Sequence, residues 1–416
     1  MAADSESAQL PILIIGAGCA GLALAHGLRS KGIPSKVFER DPALSPRNGR
    51  DWGIACHWAS PMLASLLGEA KWSRITDTLV DPNIPIKEIE MCNVFNGKTG
   101  ELLNYMPIPN LHRILRGRLR SLIAEDLADV YYNKNLERIS YADDGQGVTA
   151  HFADGTAETG RLVIGADGSN SRVRSLLLGP ERARLKRLPL AATFIEASFP
   201  RELALRLRNS THPIVNVILH PDNMTGMLGI LDGADEDHPE NWRFAFYISW
   251  RCSVEEQDAE AGVDRRERLR QAKEMSKPFA DPLRSCYDAI PDDLEQVYYT
   301  RNGNWDPSLP GHEWDNRGGL VTLVGDAAHP MTYQRGQGLN HAIADVFKLI
   351  ELLANPEGRS QAELISAYES EMRVRGGEEV KLSEMNSLMV HDWAKVSESP
   401  IMKRGVAFGS GDNGKA

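Results

Sequence analysis

Gly16-Ala17-Gly18-Cys19-Ala20-Gly21 is the first stretch whose residue types and spacing could do chemistry. Gly16 permits a tight turn, Gly18 lets backbone approach a pyrophosphate, and Gly21 lets a following helix pack closely on the preceding strand. The apolar run 11–15 before it suits a buried parallel strand, residues 22–30 read as a helix, and a second strand at 36–39 ends on Glu39. Glu39 stands 23 residues beyond Gly16, where a carboxylate can accept hydrogen bonds from ribose hydroxyls. Strand, glycine turn, helix, strand and acid together point to an ADP-containing dinucleotide, and they leave FAD and NAD equally open.

Two further stretches carry polar residues at the ends of apolar strands. Residues 161–174, RLVIGADGSNSRVR, predict a buried strand, a turn around Asp167 and Gly168, and a helix from about Ser171 with two arginines in its first turn. Residues 319–330, GLVTLVGDAAHP, predict another such strand ending on Gly325-Asp326, followed by Gly336-Gln337-Gly338-Leu339-Asn340 and a helix over 341–353. An acid at a strand end can bind a sugar-like hydroxyl chain, and a glycine-rich helix N-terminus can stabilise negative charge. The segment 49–54, GRDWGI, offers charge at Arg50 and a flat surface at Trp52; it reads either as a mobile segment beside a cofactor ring or as an exposed turn with one buried tryptophan. A helix over 111–127 carries Arg113, Arg116, Arg118 and Arg120, either as a solvated face or with one arginine on a phosphate.

The elements that must position these groups follow from composition and pattern. At 416 residues, 42% apolar and 25% charged, the chain has enough material for a large core and more than one lobe. A net charge of −10 argues against nucleic acid as a partner. Five scattered cysteines without CxxC spacing indicate neither a disulfide framework nor a zinc site, which makes a reducing, cytoplasmic setting the expectation. The apolar run 10–28 holds four glycines and His26 behind an acidic leader, so neither a signal peptide nor a membrane span is expected. Residues 1–8 and 409–416 read as disordered by composition. A helix begins at 61–67, a hairpin turns at Asn96-Gly97, and strands are expected over 135–149 and 151–159. Residues 185–300 differ in kind, with strands at 188–199, 214–219, 224–231 and 242–250 and then a charged amphipathic helix over 265–289. In the strand at 242–250, Phe244, Phe246, Ile248 and Trp250 share one face, and Arg243, Ala245, Tyr247 and Ser249 the other. One face could wall a pocket; the alternative is packing against the sheet's own helices. A last helix is expected over 362–389.

With GAGCAG plus Glu39-Arg40, GADGSNSRVR, and GDAAHP followed by GQGLN, the chain resembles the class A FAD-dependent aromatic hydroxylases of the para-hydroxybenzoate and salicylate hydroxylase type. The motifs run from residue 11 to about 353; Arg116-Gly117-Arg118-Leu119 matches the family's arginine-leucine helix, with Ile123 where a leucine is usual. The resemblance implies an α/β fold: a Rossmann-like FAD domain of the glutathione-reductase type from residues 9–82, 101–184 and 301–353, an inserted β-sheet substrate domain from 83–100 and 185–300, and C-terminal helices over 354–416. It implies non-covalent FAD with its pyrophosphate at Gly16, Gly18 and Gly21, its adenosine ribose at Glu39, and Arg116 reaching it from its helix. Asp167 and Gly168 would serve both FAD and the nicotinamide cofactor, Gly325-Asp326 the ribitol chain, and Pro330 the reacting flavin carbon; the Gly336 to Asn340 stretch, through Gly338 and Leu339, would face the pyrimidine edge. The implied reaction uses NAD(P)H, a transient visitor, and O₂, and inserts one oxygen into an aromatic or other electron-rich molecule through a C4a-hydroperoxyflavin. Arg50 and Tyr247 are the candidate catalytic residues, and Trp52, His57 and Trp58 candidate pocket lining. An oxidase or reductase, a Baeyer–Villiger or epoxidising variant, and a non-catalytic flavin protein stay open as alternatives; the GWxWxIP stretch of flavin halogenases is absent.

Overall fold

A computed structural model describes residues 10–45, 50–143, 145 and 147–406. Five parallel strands form its first sheet, in the order Val321–Leu323, Leu162–Gly165, Ile12–Ile15, Ser35–Phe38 and Val130–Tyr131. Ile12 to Ile15 sit at its centre with at most 4% exposure, which is why the run is apolar on both faces. The helix Cys19–Ser30 starts directly on the glycine turn, three residues earlier than expected. It crosses the helix Gly338–Ala354 at Gly27, where a Cβ would stand 2.4 Å from Ile350 Cδ1. A three-stranded antiparallel sheet, Leu136–Tyr141, Val148–Phe152 and Ala157–Gly160, replaces the two long strands expected over 135–149 and 151–159, because a reversal at Gly145 splits the first and one at Asp154-Gly155 the second.

Seven strands make the other large sheet: Val297–Asn304, Lys186–Ala197, Arg243–Arg251, Met224–Asp232, Val215–His220, Ile89–Asn96 and Leu102–Pro109, in that spatial order. Two expected boundaries are crossed here. Leu102–Pro109 stays in this sheet as hairpin partner of Ile89–Asn96, and Val297–Asn304 continues past residue 300 by pairing with Lys186–Ala197. The expected basic helix over 111–127 is also shorter: His112–Leu115 is a strand paired with Gly53–Cys56, and the helix proper is Arg116–Ala124. Pro278 and Pro282 interrupt the charged stretch at 265–289, giving helices Arg265–Ser276 and Leu283–Ala289.

These two helices cover one face of the seven-stranded sheet. Phe244, Phe246 and Ile248 pack there with Leu269, Leu283 and Tyr287 in a second hydrophobic core, so the phenylalanine face is not a pocket wall. The first core surrounds the parallel sheet. The 30-residue helix Gln361–Val390, about 45 Å long and begun by a Ser360–Glu363 capping box, spans both: Ile365, Tyr368 and Met372 join the first core and Val390 the second. Among the described residues no helix is long and apolar enough to cross a membrane. The terminal stretches expected to be disordered, and Gly49 of the loop ahead of Trp52, lie outside the described residues.

Candidate active site

The glycine turn is built as its residues require. Gly16 has φ +110, and a Cβ there would stand 2.5 Å from the Ala166 carbonyl oxygen; at Gly21 it would stand 2.0 Å from the Gly16 carbonyl oxygen. At Gly18 the only atom within 4 Å of that position is Ala166 O, at 3.9 Å, so its outer side is open for a ligand. Glu39 is buried: one oxygen accepts from the Ala17 N–H at 2.8 Å, the other from the Asp41 N–H at 3.0 Å. Its carboxylate therefore braces the turn as well as marking the strand end, while Arg40 is exposed. Arg120 donates from Nε to the Ala17 carbonyl at 2.9 Å and from a terminal nitrogen to the Leu44 carbonyl at 3.1 Å, holding the turn from the other side. Its spacing of four from Arg116 puts both on one helix face.

Asp167 caps the helix Arg172–Leu178, accepting from Ser171 Oγ at 2.5 Å and from the Arg172 and Val173 N–H groups at 2.6 and 3.2 Å. Gly168 beside it has φ +79 and open space around its Cβ position. Arg174 explains the arginine that opposes the helix dipole. Its guanidinium donates to the carbonyls of Ser169, Ala183 and Ala327 at 2.5, 3.1 and 2.8 Å and lies over Trp305, tying the Asp167 turn to the Asp326 turn. Sequence reasoning missed this clamp, because its acceptors are backbone carbonyls, which carry no residue-type signal, and one of them, Ala327, lies 153 residues away in the chain.

Asp326 is exposed beside the start of the helix Gly338–Ala354. Surrounding protein desolvates its carboxyl and raises its pKa, against the pull of His329, Arg116 and Arg174. The Cβ position of Gly338, first residue of the helix Gly338–Ala354, is 3.8 Å from Asp326 Oδ1. Gly336 takes the left-handed conformation (φ +64) that turns the chain into this helix, and Leu339 is half-buried. Asn340 is buried: its Oδ1 accepts from the His57 and Ala59 N–H groups at 2.9 and 3.3 Å, and its Nδ2 donates to Ala55 O at 3.0 Å. Asn340 thus binds residues 55–59 to the helix start. Pro330 is buried, with its carbonyl accepting from the Trp305 N–H at 3.0 Å. Two phosphate-scale N–H clusters, a carboxylate between them and Arg116 near both form an elongated frame that fits a dinucleotide carrying a hydroxylated chain.

The open face of the seven-stranded sheet stands across from this frame. Tyr247 packs 4.6 Å from the Phe194 ring and 5.4 Å from Tyr333, the latter at the turn before Gly336. Burial lifts the Tyr247 hydroxyl well above its ordinary pKa and pushes the His57 imidazole down to about 4, so both are neutral at pH 7. Trp58 donates from Nε1 to Gln337 Oε1 at 2.9 Å. Arg50 lies 4.6 Å over Tyr298 and 5.7 Å from Trp52, and Arg116 covers Trp52 at 4.6 Å. Trp52 is 43% exposed between two guanidinium groups, which departs from a buried tryptophan in a turn. Glu196, on the same sheet face, was not singled out from sequence; burial raises its carboxyl to about 7 despite Arg243 and Arg50.

Comparison with known proteins agrees with this geometry. A family profile described as FAD binding domain matches residues 314–383. The chain is 34% identical to the FAD-dependent monooxygenase phnB of Penicillium herquei, covering 96% of this chain and 95% of that one. It is 35% identical to cctM of Talaromyces islandicus, also a FAD-dependent monooxygenase, over 95% and 96% of the two chains. In fold it is similar to 2,6-dihydroxypyridine-3-hydroxylase from Arthrobacter nicotinovorans (TM-score 0.70, 19% identity, 97% and 95% covered) and to Klebsiella pneumoniae HpxO complexed with FAD and uric acid (TM-score 0.70, 18% identity, 92% and 89% covered). The glycine fingerprint and near-full-length similarity to these relatives make the chain a member of the FAD-dependent monooxygenase family, an enzyme that uses FAD on a small-molecule substrate.

Proposed function

We propose that this enzyme hydroxylates, or otherwise monooxygenates, a flat aromatic molecule with NAD(P)H and O₂ as cosubstrates. The observation that carries the reading is the pairing of the Asp326–Gly338 frame with a facing wall of Tyr247, Phe194 and Tyr333, aromatic side chains suited to a planar ligand. Bound FAD supplies hydride acceptance and activation of O₂. Gly16, Gly18 and Gly21 hold its pyrophosphate and Glu39 its adenosine ribose, with Arg40 flanking at the surface. Asp326, next to Gly325, binds its ribitol hydroxyls. The N-terminus at Gly338 to Asn340, entered through Gly336, turns its positive dipole end toward developing negative charge, with Pro330 alongside. Asp167 shapes the turn at Gly168 by capping a helix, and Arg116 lends positive charge from across Trp52. Tyr247 acts as a hydrogen-bond donor rather than a base, since burial keeps its hydroxyl protonated. Arg50 couples the loop before Trp52 to the sheet through Tyr298. One neighbour in fold is named as a hydroxylase of 2,6-dihydroxypyridine and another is complexed with uric acid, and both compounds are flat rings.

Turnover under ¹⁸O₂ with NADPH or NADH and a panel of phenolic, indolic and polyketide-like aromatics tests the proposal. One labelled oxygen in product and the other in water is the expected result. Stoichiometric peroxide with no label in any aromatic would establish an oxidase instead.

A further inference from the structure

The hairpin of Ile89–Asn96 and Leu102–Pro109 forms one edge of the seven-stranded sheet, and its two faces differ in an unusual way. Cys92, Val94, Met106 and Ile108 on one face are buried in the second core. The other face would be polar if water alone covered it. Instead it presents Ile89, 53% exposed, beside Pro109, then Met91 beside Pro107, and Tyr105, 50% exposed, beside Asn93. A register shift near the turn leaves Leu102 and Leu103 both exposed, and exposed Ile86 leads into the strip at its other end. Twelve large apolar side chains are exposed among the described residues, and six of them belong to this hairpin and its approach, a strip rather than the usual scatter. The helices on this side of the sheet stop short of it. Leu283 packs over Gly226, two strands further in, and only the turn is touched, where Ala280 donates its N–H to Gly97 O at 2.7 Å.

The strip is not an edge waiting for another strand. Asn110 donates its N–H to Glu88 O at 2.9 Å, so by antiparallel alternation the pairs Glu90–Ile108 and Cys92–Met106 make the ladder bonds. Residues 107 and 109 would then point their N–H groups outward, and both are prolines, which have none. The free edge is blunted, and the apolar face is what remains for contact. Tyr247 lies on the opposite face, in register with Met227, Val217 and Val94, so a partner on the strip leaves it uncovered.

We propose that this face is the interface of a dimer, in which two copies of the chain pack hairpin on hairpin about a two-fold axis. The charges at its ends select that occupant. Lys87 and Glu88 stand at one end, Lys98 and Glu101 at the turn, all exposed; Lys87 meets Glu90 at 2.9 Å, and the other three have no ion pair among the described residues. A two-fold axis through the middle of the hairpin reverses the second copy, which sets Glu88 of each chain against Lys98 of the other and Glu101 against Lys87. Packing in the same direction would set like charges together. An anionic membrane calls for a basic rim, whereas these charges are balanced and the chain carries a net −10.

Sedimentation velocity of FAD-loaded enzyme over a dilution series tests the proposal. The wild type should be dimeric when concentrated and dissociate on dilution. The double variant Ile89→Glu, Tyr105→Glu should raise the dimer Kd by at least about a hundredfold at unchanged FAD content, since association would bury carboxylates without partners. Glu88→Lys alone and Lys98→Glu alone should each weaken the dimer about tenfold. An equimolar mixture of those two single variants should regain wild-type association, because opposite charges then meet at both ends. A wild type that stays monomeric throughout overturns the proposal, and if that monomer floats with phosphatidylserine vesicles the face belongs to a membrane. A dimer that the Ile89→Glu, Tyr105→Glu variant leaves intact overturns it too, since the contact then lies elsewhere. Failure of the mixture to associate better than either single variant overturns the two-fold packing.

Discussion

Asp326 and Glu196 are two carboxyl groups whose environments assign them different work. Asp326 stands open between Gly338 and the charge of Arg116, where it can accept hydrogen bonds from hydroxyls of the cofactor chain. Charge-assisted bonds of this kind are worth roughly 1.5 to 3 kcal/mol each, so Asp326→Ala should weaken FAD binding on the order of tenfold or more; unchanged affinity in a flavin titration would mean the carboxylate faces something else. Glu196 instead is buried, and its raised pKa makes it a pH lever. Between about pH 4.5 and 7 the folded protein holds a proton there that the unfolded chain has lost. This group therefore favours folding most at the acid end, and its contribution falls as pH rises to 7, by up to about 3 kcal/mol. Glu196→Gln should remove that decline, read from melting temperatures across the pH range with FAD in excess; parallel curves for the two proteins would sink the idea. Asp326 was legible in the sequence because it ends an apolar strand on Gly-Asp. Glu196 was not, since it is one polar residue inside an ordinary alternating strand and its burial depends on a loop more than a hundred residues away.

At the scale of elements, the helix Gln361–Val390 shows how a feature without visible chemistry can position the site. Gly376 and Gly377 interrupt good helix formers at its middle, and a Cβ at Gly376 would stand 2.7 Å from the His329 ring. That ring cannot give way: it is fully buried, and its Nε2 is 2.7 Å from Asp345 Oδ2, which also accepts from the Gly325 N–H at 2.7 Å. Gly376→Ala should therefore cost about 1–3 kcal/mol by overpacking and loosen FAD, because the strain passes through His329 to Gly325 and Pro330. Gly262→Ala, with open space at its Cβ position, is the control. Equal melting temperatures and equal FAD affinity for both variants would show that the helix merely passes by. Most strands of the two large sheets were legible because alternation and apolar runs are local signals, whereas Val130–Tyr131 and Val297–Asn304 were not expected as strands. The two crossed boundaries were not, since pairing of Leu102–Pro109 and Val297–Asn304 depends on distant partners. Nor was the division of labour between the faces of Arg243–Arg251, where the face that reads as more aromatic packs on helices and the face bearing Tyr247 turns to the site.

Across the whole molecule, the site is shared by two cores that one helix joins. The first core carries Asp326 and the Gly338 helix; the second carries the sheet bearing Tyr247 and Phe194. The segment after residue 390 bolts them together: Ile401 and Val406 join the second core, Gln337 Nε2 donates to Val406 O at 2.6 Å, and an Arg335 terminal nitrogen donates to Gly405 O at 3.2 Å. His391, buried and held down to about 4, adds a contact at 2.8 Å to Ser249 of the sheet. Elements tied in this way lose their partners together, so the protein should unfold in one transition although it contains two sheets and two cores. FAD at a hundredfold excess over its Kd should stabilise that single transition by about 2.7 kcal/mol. Leu269→Ala provides the sharper test. Leu269 is 1% exposed, on the far side of the seven-stranded sheet from the flavin frame, and its truncation should cost about 2–5 kcal/mol. If the cores are one cooperative unit, this variant should lower the midpoint of FAD release, followed by flavin fluorescence, by the same number of degrees as the midpoint followed by tryptophan emission, to which Trp305 and Trp314 of the first core contribute. A flavin midpoint that stays at the wild-type temperature while the second core melts early would show that the two halves unfold separately, with the C-terminal segment only resting on the site.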